Sequence, residues 1–242
     1  MGDSIVIIPT FNEIENIEAI IEAVFALEKQ FDILIVDDNS PDMTAHKVKE
    51  LQDEYPGRLH LEIRKEKSGL GTAYIHGFKW CLQGHYEYIF EMDADFSHDP
   101  KDLIRLYKTC HEDGADMAIG SRYVKGVNVV NWPMSRVLLS YLASKYVRLI
   151  TCMKIHDTTA GFICYKRKVL ESFDLDSIKF IGYAFQIEMK FKAHCKNFKI
   201  KEIPVVFTDR TKGESKLSSG IISEAIFGVF SMKCRSLFNK NN

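Results

Sequence analysis

Short, almost uninterrupted apolar runs alternate with amphipathic stretches through the first half of the chain, and this alternation limits the fold more than any other feature. Ser4 to Ile8, Phe31 to Val36, Leu59 to Ile63 and Tyr88 to Phe90 are strand-length runs rich in Ile, Val and Leu. Strands buried on both faces read as continuous apolar runs rather than as alternation. After the first run is stopped by Pro9, Ile14, Ile17, Ile20, Ile21, Val24 and Phe25 recur at helical spacing. Asn12, with Glu15 three residues on, suits a variant of the capping box. Gly69-Leu70-Gly71-Thr72-Ala73 leads into a helix running to about Leu82, with the glycines serving close packing at the helix entry. The implied class is α/β, a mostly parallel central sheet covered by helices on both faces.

The second half is less regular. Ala115 to Ile119 predicts a fifth strand, Arg122 to Pro133 a loop with Gly126 and Trp132, and Met134 to about Thr151 a long helix. Phe162 to Tyr165 and Ile200 to Phe207 read as later strands, with a helix over Tyr183 to Cys195 between them. Leu217 to about Phe238 reads as a helix with Ile221, Ile222, Ala225, Ile226, Val229 and Phe230 on one side. With no internal repeat, linker or low-complexity tract, the simplest organisation is one domain spanning residues 1–242.

A net charge of −1 gives no global pull toward nucleic acid or an anionic membrane, so any anion site must be local. The six cysteines form no Cys-x-x-Cys pair and no zinc spacing, and they read as reduced core residues of a cytosolic protein. There is no secretory signal. Met1-Gly2 hints at myristoylation, but Val6 stands where that motif wants Ser or Thr. No run approaches the ~20 apolar residues of a membrane span.

The candidate chemistry centres on Glu91-Met92-Asp93-Ala94-Asp95-Phe96-Ser97-His98-Asp99-Pro100. Residues i and i+2 of a strand point the same way, so Asp93 and Asp95 can reach one spot past the strand's end, where open α/β sheets hold ligands. Two carboxylates there repel unless a cation joins them. Mg²⁺ takes such oxygens together with waters and substrate phosphates. The alternative is a solvated turn in which Asp99 caps a helix opened by Pro100. Asp38, at the exit of the second strand, is either an acceptor for a nucleotide base or ribose beside that site or a turn residue. His98 reads as a polar turn residue. The dinucleotide and P-loop glycine motifs are absent, which disfavours a dehydrogenase or kinase. Arg210 to Leu217, with charges of both signs around Gly213, suits a loop closing over phosphates.

Taken together, Pro9-Thr10-Phe11-Asn12-Glu13, Val36 to Asp42, Gly69 to Tyr74, Met92 to Asp95, Gly120-Ser121-Arg122-Tyr123, Gly182 to Met189 and Arg210 to Leu217 resemble the dolichol-phosphate (polyprenol-phosphate) mannose synthases. These are family-2 glycosyltransferases of the GT-A fold. The likeness covers nearly the whole chain in order, with the Arg210 to Leu217 segment its most specific part. It implies inverting transfer of mannose from GDP-mannose to a polyprenyl phosphate with Mg²⁺ or Mn²⁺. It further implies a nucleotide-sugar half over about 1–120 and an acceptor half, with an amphipathic C-terminal helix, over about 121–242.

By position, the resemblance places Pro9, Phe11, Glu13, Val36 and Asp38 on the guanosine. It places Asp93, Ala94 and Asp95 on ribose and diphosphate, with Asp95 as main metal ligand. Arg122, Arg210 and Lys216 fall to diphosphate and sugar, and Arg136 with Ser140, joined by Arg122 and Arg210, to the acceptor phosphate. Ser97 stands where the family has a further metal ligand, often Gln, and is short enough that a water would intervene. Phe11 replaces the usual Tyr. A lipid phosphate is already an anion, so the reaction needs no general base, and Asp38 and Glu188 are binding or structural residues.

The acceptor's long apolar tail implies work at the cytoplasmic face of a membrane, peripherally, with or without an anchoring partner protein. Met134 to Thr151 and Leu217 to Phe238, edged by Arg148, Lys233, Arg235 and Lys240, are the candidate interfacial helices; core packing is the alternative. The competing readings are a glucosyltransferase or other family-2 enzyme using a UDP-sugar, and a metal-dependent nucleotide-sugar binding module without turnover.

Overall fold

A computed structural model describes residues 2–209 and 228–235. Among the described residues there are nine strands: β1 (Ser4–Thr10), β2 (Asp32–Asp37), β3 (Leu59–Ile63), β4 (Tyr88–Glu91), β5 (Met117–Ser121), β6 (Val129–Val130), β7 (Ile163–Lys166), β8 (Ile200–Pro204) and β9 (Phe207–Thr208). The helices are α1 (Ile17–Phe25), α2 (Thr44–Gln52), α3 (Leu70–Gln83), α4 (Asp102–His111), α5 (Met134–Thr151), α6 (Arg167–Glu171) and α7 (Tyr183–Cys195). Seven strands form one sheet in the order β3-β2-β1-β4-β7-β5-β8, and β6 pairs in parallel with β9 apart from it.

The sheet is parallel except at β7, which runs antiparallel to both β4 and β5. Alternate residues of β1 enter two different cores, as a strand's two-residue period requires. Ile5 and Ile7 pack with Tyr74 and Phe78 of α3 and with Phe185 and Met189 of α7. Val6 and Ile8 pack on the other face with Ile17, Ile20 and Ile21 of α1, Val48 of α2 and Leu103 of α4. Helices therefore cover both faces, as the continuous apolar runs imply.

Several local expectations are corrected. The first helix begins at Ile17 rather than at Asn12, because Asn12 adopts φ 56° and Asn16 makes no side-chain cap. The 122–133 loop contains β6. The run 200–207 is two strands in two different sheets, β8 ending at Pro204 and β9 beginning at Phe207, with Val205 and Val206 between them. Three of the six cysteines are buried, but Cys152 and Cys195 are exposed, so these two are not core residues.

The strand order fixes where a ligand can enter. From β1 the chain passes to β2 on one side and reaches β4 on the other, so β1 and β4 diverge in connection at their C-terminal ends. Open α/β sheets bind ligands at such a switch point. Asp38 and the Asp93/Asp95 pair are consequently not on neighbouring strands: β1 lies between them.

Candidate active site

Two groups of the sequence-selected residues assemble at this edge of the sheet. Pro9, Phe11, Glu13 and Asp38 gather over the ends of β1 and β2. The loop after β1 is pinned by the loop after β2: the backbone N–H groups of Asn12, Glu13 and Ile14 donate to Ser40 Oγ, Thr44 Oγ1 and Asp42 Oδ2 at 3.0, 3.1 and 3.1 Å. Thr10 Oγ1 donates to Asp37 Oδ2 at 2.7 Å. The turn chemistry is thus done by Asp37, which also accepts from Ser40 N–H at 2.8 Å.

Asp38 does something else. Arg64, the residue that follows β3, grips it with Nε to Oδ1 at 2.6 Å and Nη2 to Oδ2 at 2.8 Å. Arg64 Nη1 also donates to Thr72 Oγ1 at 2.7 Å, tying the entry of α3 to this loop. Lys67 Nζ stands 4.4 Å from the Phe11 ring centroid. Val36 and Ala94 are buried, each in one of the two cores.

The second group surrounds a cavity of about 450 Å³. Asp93, Asp95 and Ser97 reach it from beyond β4, Arg122 from the end of β5, and Arg136 and Ser140 from α5. Leu139, Leu142 and Ala143 of α5 with Tyr146 and Val147 add an apolar wall. Asp95 Oδ1 accepts from Ser97 N–H at 3.1 Å and from Ser97 Oγ. Ser97 therefore orients the carboxylate from behind. Tyr74 OH donates to Asp93 Oδ1 at 3.5 Å. Asp99 accepts from Lys101 N–H at 3.0 Å, so it organises the start of α4, while Asp93 and Asp95 face the cavity.

Among the described residues no cluster of three or more His, Cys, Asp or Glu side chains is placed to hold a metal. Two carboxylates on one cavity still fit a hard divalent ion that draws its other oxygens from phosphates and water.

Arg122 is the most tightly held cation of the site. Its Nε and Nη2 donate to Asp157 Oδ2 and Oδ1 at 2.7 and 2.6 Å, its backbone N–H to Asp157 Oδ2 at 3.0 Å, and Nη2 to Thr159 Oγ1 at 2.9 Å. Asp157 is wholly buried. Burial pushes its carboxyl up, but the Arg122 charge and these hydrogen bonds outweigh that and hold it below the usual carboxylate range. Glu202 braces the same turn, accepting from the N–H groups of His156 and Asp157 at 2.7 and 2.9 Å. Arg136 Nη1 donates to Asp209 at 2.9 Å.

His98 is not a solvent-facing turn residue. It is buried, lines the cavity and stacks on Phe162 at 4.7 Å. Burial lowers its imidazole to about 4, so the ring is neutral near pH 7. Glu188 is structural: its Oε2 accepts from the N–H groups of Lys179 and Phe180 at 3.0 and 3.2 Å. The glycines behave as expected. A Cβ on Gly71 would lie 2.8 Å from both Phe180 O and Phe185 Cγ. Arg210, Lys216 and most of the run 217–238, which the sequence reads as a helix, lie outside the described residues.

Arg64, Asp157, Trp132 and Gln186 are site residues to which the sequence reading gave no role. Arg64 could have been flagged by its place directly after a strand of the sheet. Asp157 carries no such local signal.

Solved structures share this architecture. Glucosyl-3-phosphoglycerate synthase from Mycobacterium tuberculosis, in complex with Mn²⁺, UDP and phosphoglyceric acid, superposes with a TM-score of 0.67 at 16% identity, over 96% of this chain and 78% of that one. The mannosyltransferase PcManGT from Pyrobaculum calidifontis, in complex with GDP-Man and Mn²⁺, gives a TM-score of 0.60 at 16% identity, over 98% and 74%. The fold is accordingly that of the GT-A glycosyltransferases.

The sequence narrows this further. The family model described as glycosyl transferase family 2 matches residues 5–173. The polyprenol monophosphomannose synthase of Mycolicibacterium smegmatis is 46% identical over 93% of this chain and 85% of its own. The undecaprenyl-phosphate mannosyltransferase of Micrococcus luteus is 42% identical over 92% and 90%. The chain belongs to glycosyl transferase family 2.

Proposed function

We propose that the protein is a polyprenyl-phosphate mannosyltransferase, moving mannose from GDP-mannose to a polyprenyl phosphate with inversion. One observation carries the reading: a single cavity joins a carboxylate pair, two oriented arginines and an apolar helix wall. The similarity to the mannosyltransferases named above supports the sugar and the lipid carrier.

Pro9, Phe11, Glu13 and Asp38 hold the nucleoside, with Asp38 kept in place by Arg64. Asp93 and Asp95 would hold Mg²⁺ or Mn²⁺, with Ser97 orienting Asp95, and the metal when bound would supply Lewis-acid stabilisation of the departing diphosphate. Arg122, with Arg210 and Lys216, binds the diphosphate and sugar, and Arg136 with Ser140, joined by Arg122 and Arg210, the acceptor phosphate. A phosphate oxygen of the acceptor forms its bond to the anomeric carbon as the bond from that carbon to the diphosphate breaks, and GDP leaves with the electron pair. The nucleophile is already anionic, so no side chain need remove a proton. Arg122 is fixed in advance by Asp157, so stabilising the new charge requires little reorganisation.

The same helix serves lipid and site. Met134, Leu138, Leu142 and Leu149 are exposed along α5, while Leu139 and Leu142 also line the cavity. Among the described residues no helix is long and apolar enough to cross a membrane. An exposed apolar row running into the cavity suits a helix lying at a bilayer surface with the acceptor's tail alongside.

A donor screen tests the reading. Purified protein is offered GDP-mannose, UDP-glucose and UDP-GlcNAc with polyprenyl phosphate in vesicles, and the glycolipid is identified by mass. Mannosyl product from GDP-mannose is expected; preferential use of a UDP-sugar would select the competing family-2 reading, and nucleotide-sugar binding without any glycolipid would select the binding module.

A further inference from the structure

Among the described residues, three of those lining the cavity carry a buried polar atom with no hydrogen-bond partner: His98 Nδ1, Trp132 Nε1 and Gln186 Oε1. Unpaired buried groups are unfavourable and uncommon, so each calls for a reason. Their chemistries differ. Gln186 Nε2 is committed to Glu91, which leaves its amide oxygen as an acceptor only. An indole N–H can only donate. His98 Nδ1 donates or accepts according to its tautomer, so of the three only Trp132 is fixed as a donor suited to an anion.

Its surroundings point the same way. Arg136 Cζ lies 4.1 Å from the Trp132 ring and Arg122 Cζ 5.4 Å from it. Phe207 packs edge-on at 5.1 Å and 69°. The indole thus lies within cation–π range of both guanidinium groups, and an aromatic face is a favourable neighbour for arginine side chains. Arg122 gives its Nε and Nη2 to Asp157, and Arg136 gives its Nη1 to Asp209. Arginine carries five N–H donors, so Arg136 retains donors for an incoming oxyanion beside the Arg122 charge.

Trp132 also stands just before α5, the helix that contributes Arg136, Ser140 and the apolar residues Leu139 and Leu142 to the cavity. An anion carrying an apolar tail matches that side. The Asp93 and Asp95 pair at β4 instead suits phosphates accompanied by a metal ion.

We infer that Trp132 is a binding residue for the acceptor's phosphate group, spacing Arg122 and Arg136 by stacking and donating its indole N–H to an oxygen of the phosphate held with them. The inference rests on the preceding reading only in taking the anion to be a lipid phosphate.

The chain has two tryptophans, and Trp80 lies away from the cavity, 4.8 Å from His60. In a Trp80→Phe protein all indole emission therefore comes from Trp132. Titration with farnesyl phosphate, farnesol and GDP, without donor sugar, should give a saturable emission change with farnesyl phosphate and a much smaller one with farnesol or GDP. In the otherwise unaltered chain, Trp132→Phe keeps a ring for Arg136 and removes the donor. Its KM for polyprenyl phosphate should rise about tenfold, the loss of one hydrogen bond to a charged group, with the donor KM within about twofold of the original. Trp132→Leu, which also removes the ring, should raise it further. An equal response to farnesol, a response to GDP in place of farnesyl phosphate, or an unchanged acceptor KM in Trp132→Phe would each overturn the assignment. If the unaltered enzyme makes no mannolipid, the mannosyl reading fails, while the emission titration still decides whether Trp132 meets a phosphate.

Discussion

Replacing Asp157 by Asn isolates the part played by a buried ion pair behind the reaction site. The substitution keeps the shape and removes the charge that faces Arg122. Asp157 is fully buried and the Arg122 side chain is 10% exposed, so solvent cannot take over the lost partner. Breaking a buried pair by removing one member costs about 3–5 kcal/mol, because the other charge is left uncompensated. For a chain of this size that lowers Tm by on the order of 10 °C.

The pH dependence carries a sign. Asp157 has a folded-state pKa below its unfolded value of about 3.9. Its stabilisation is complete above that unfolded value and is lost as pH falls through the folded one. Asp157→Asn should therefore flatten the acid limb of the stability curve below about pH 4. Activity should fall as well, by about 10²–10³-fold in kcat, since a donor aimed at developing charge is no longer held in position.

Calorimetry across pH and steady-state transfer assays read both effects. The double variant Asp157→Asn/Arg122→Met removes both charges and should regain much of the stability while remaining inactive. A single Asp157→Asn variant with unchanged Tm and unchanged kcat would refute the reasoning, as would a double variant less stable than the single one.

Other consequences follow from packing and exposure. Gly71→Ala would drive a methyl against the Phe180 carbonyl and the Phe185 ring, and overpacking of this kind costs about 1–3 kcal/mol, visible as a lower Tm. Met134→Glu with Leu149→Glu changes two α5 residues that are each 78% exposed, so Tm should hold. Flotation on polyprenyl-phosphate vesicles should weaken markedly, each apolar side chain withdrawn from the bilayer being worth about 1.5–3 kcal/mol; unchanged flotation would remove α5 from the membrane contact.

Much of the fold is legible because burial on both faces leaves a plain signature. β3, α5 and α7 fall where the apolar runs and helical spacing put them, and β2 is displaced by a single residue. The reversed direction of β7 has no such signature, because direction is set by how distant strands complete the sheet. α2 was missed because it buries only Thr44, Val48 and Leu51. The Asp93 and Asp95 pair was legible as two carboxylates just past a buried strand, although β4 ends at Glu91 and the pair stands on the loop beyond it rather than on the strand itself. Arg122 and Asp157, 35 residues apart, meet only through the tertiary fold, and the orphaned nitrogen of Trp132 is a property of packing that no motif encodes.

Transfer by the protein and by its Asp95→Asn variant offers the most direct check on the central claim. Mannolipid formation from GDP-mannose is followed with Mg²⁺ or Mn²⁺ and after chelation, alongside Mn²⁺ binding measured spectroscopically. The account expects mannolipid from the unaltered enzyme only when metal is present, and a folded Asp95→Asn protein that binds Mn²⁺ weakly and makes about a thousandth as much or less. Full transfer by Asp95→Asn, or by the chelated enzyme, would contradict it.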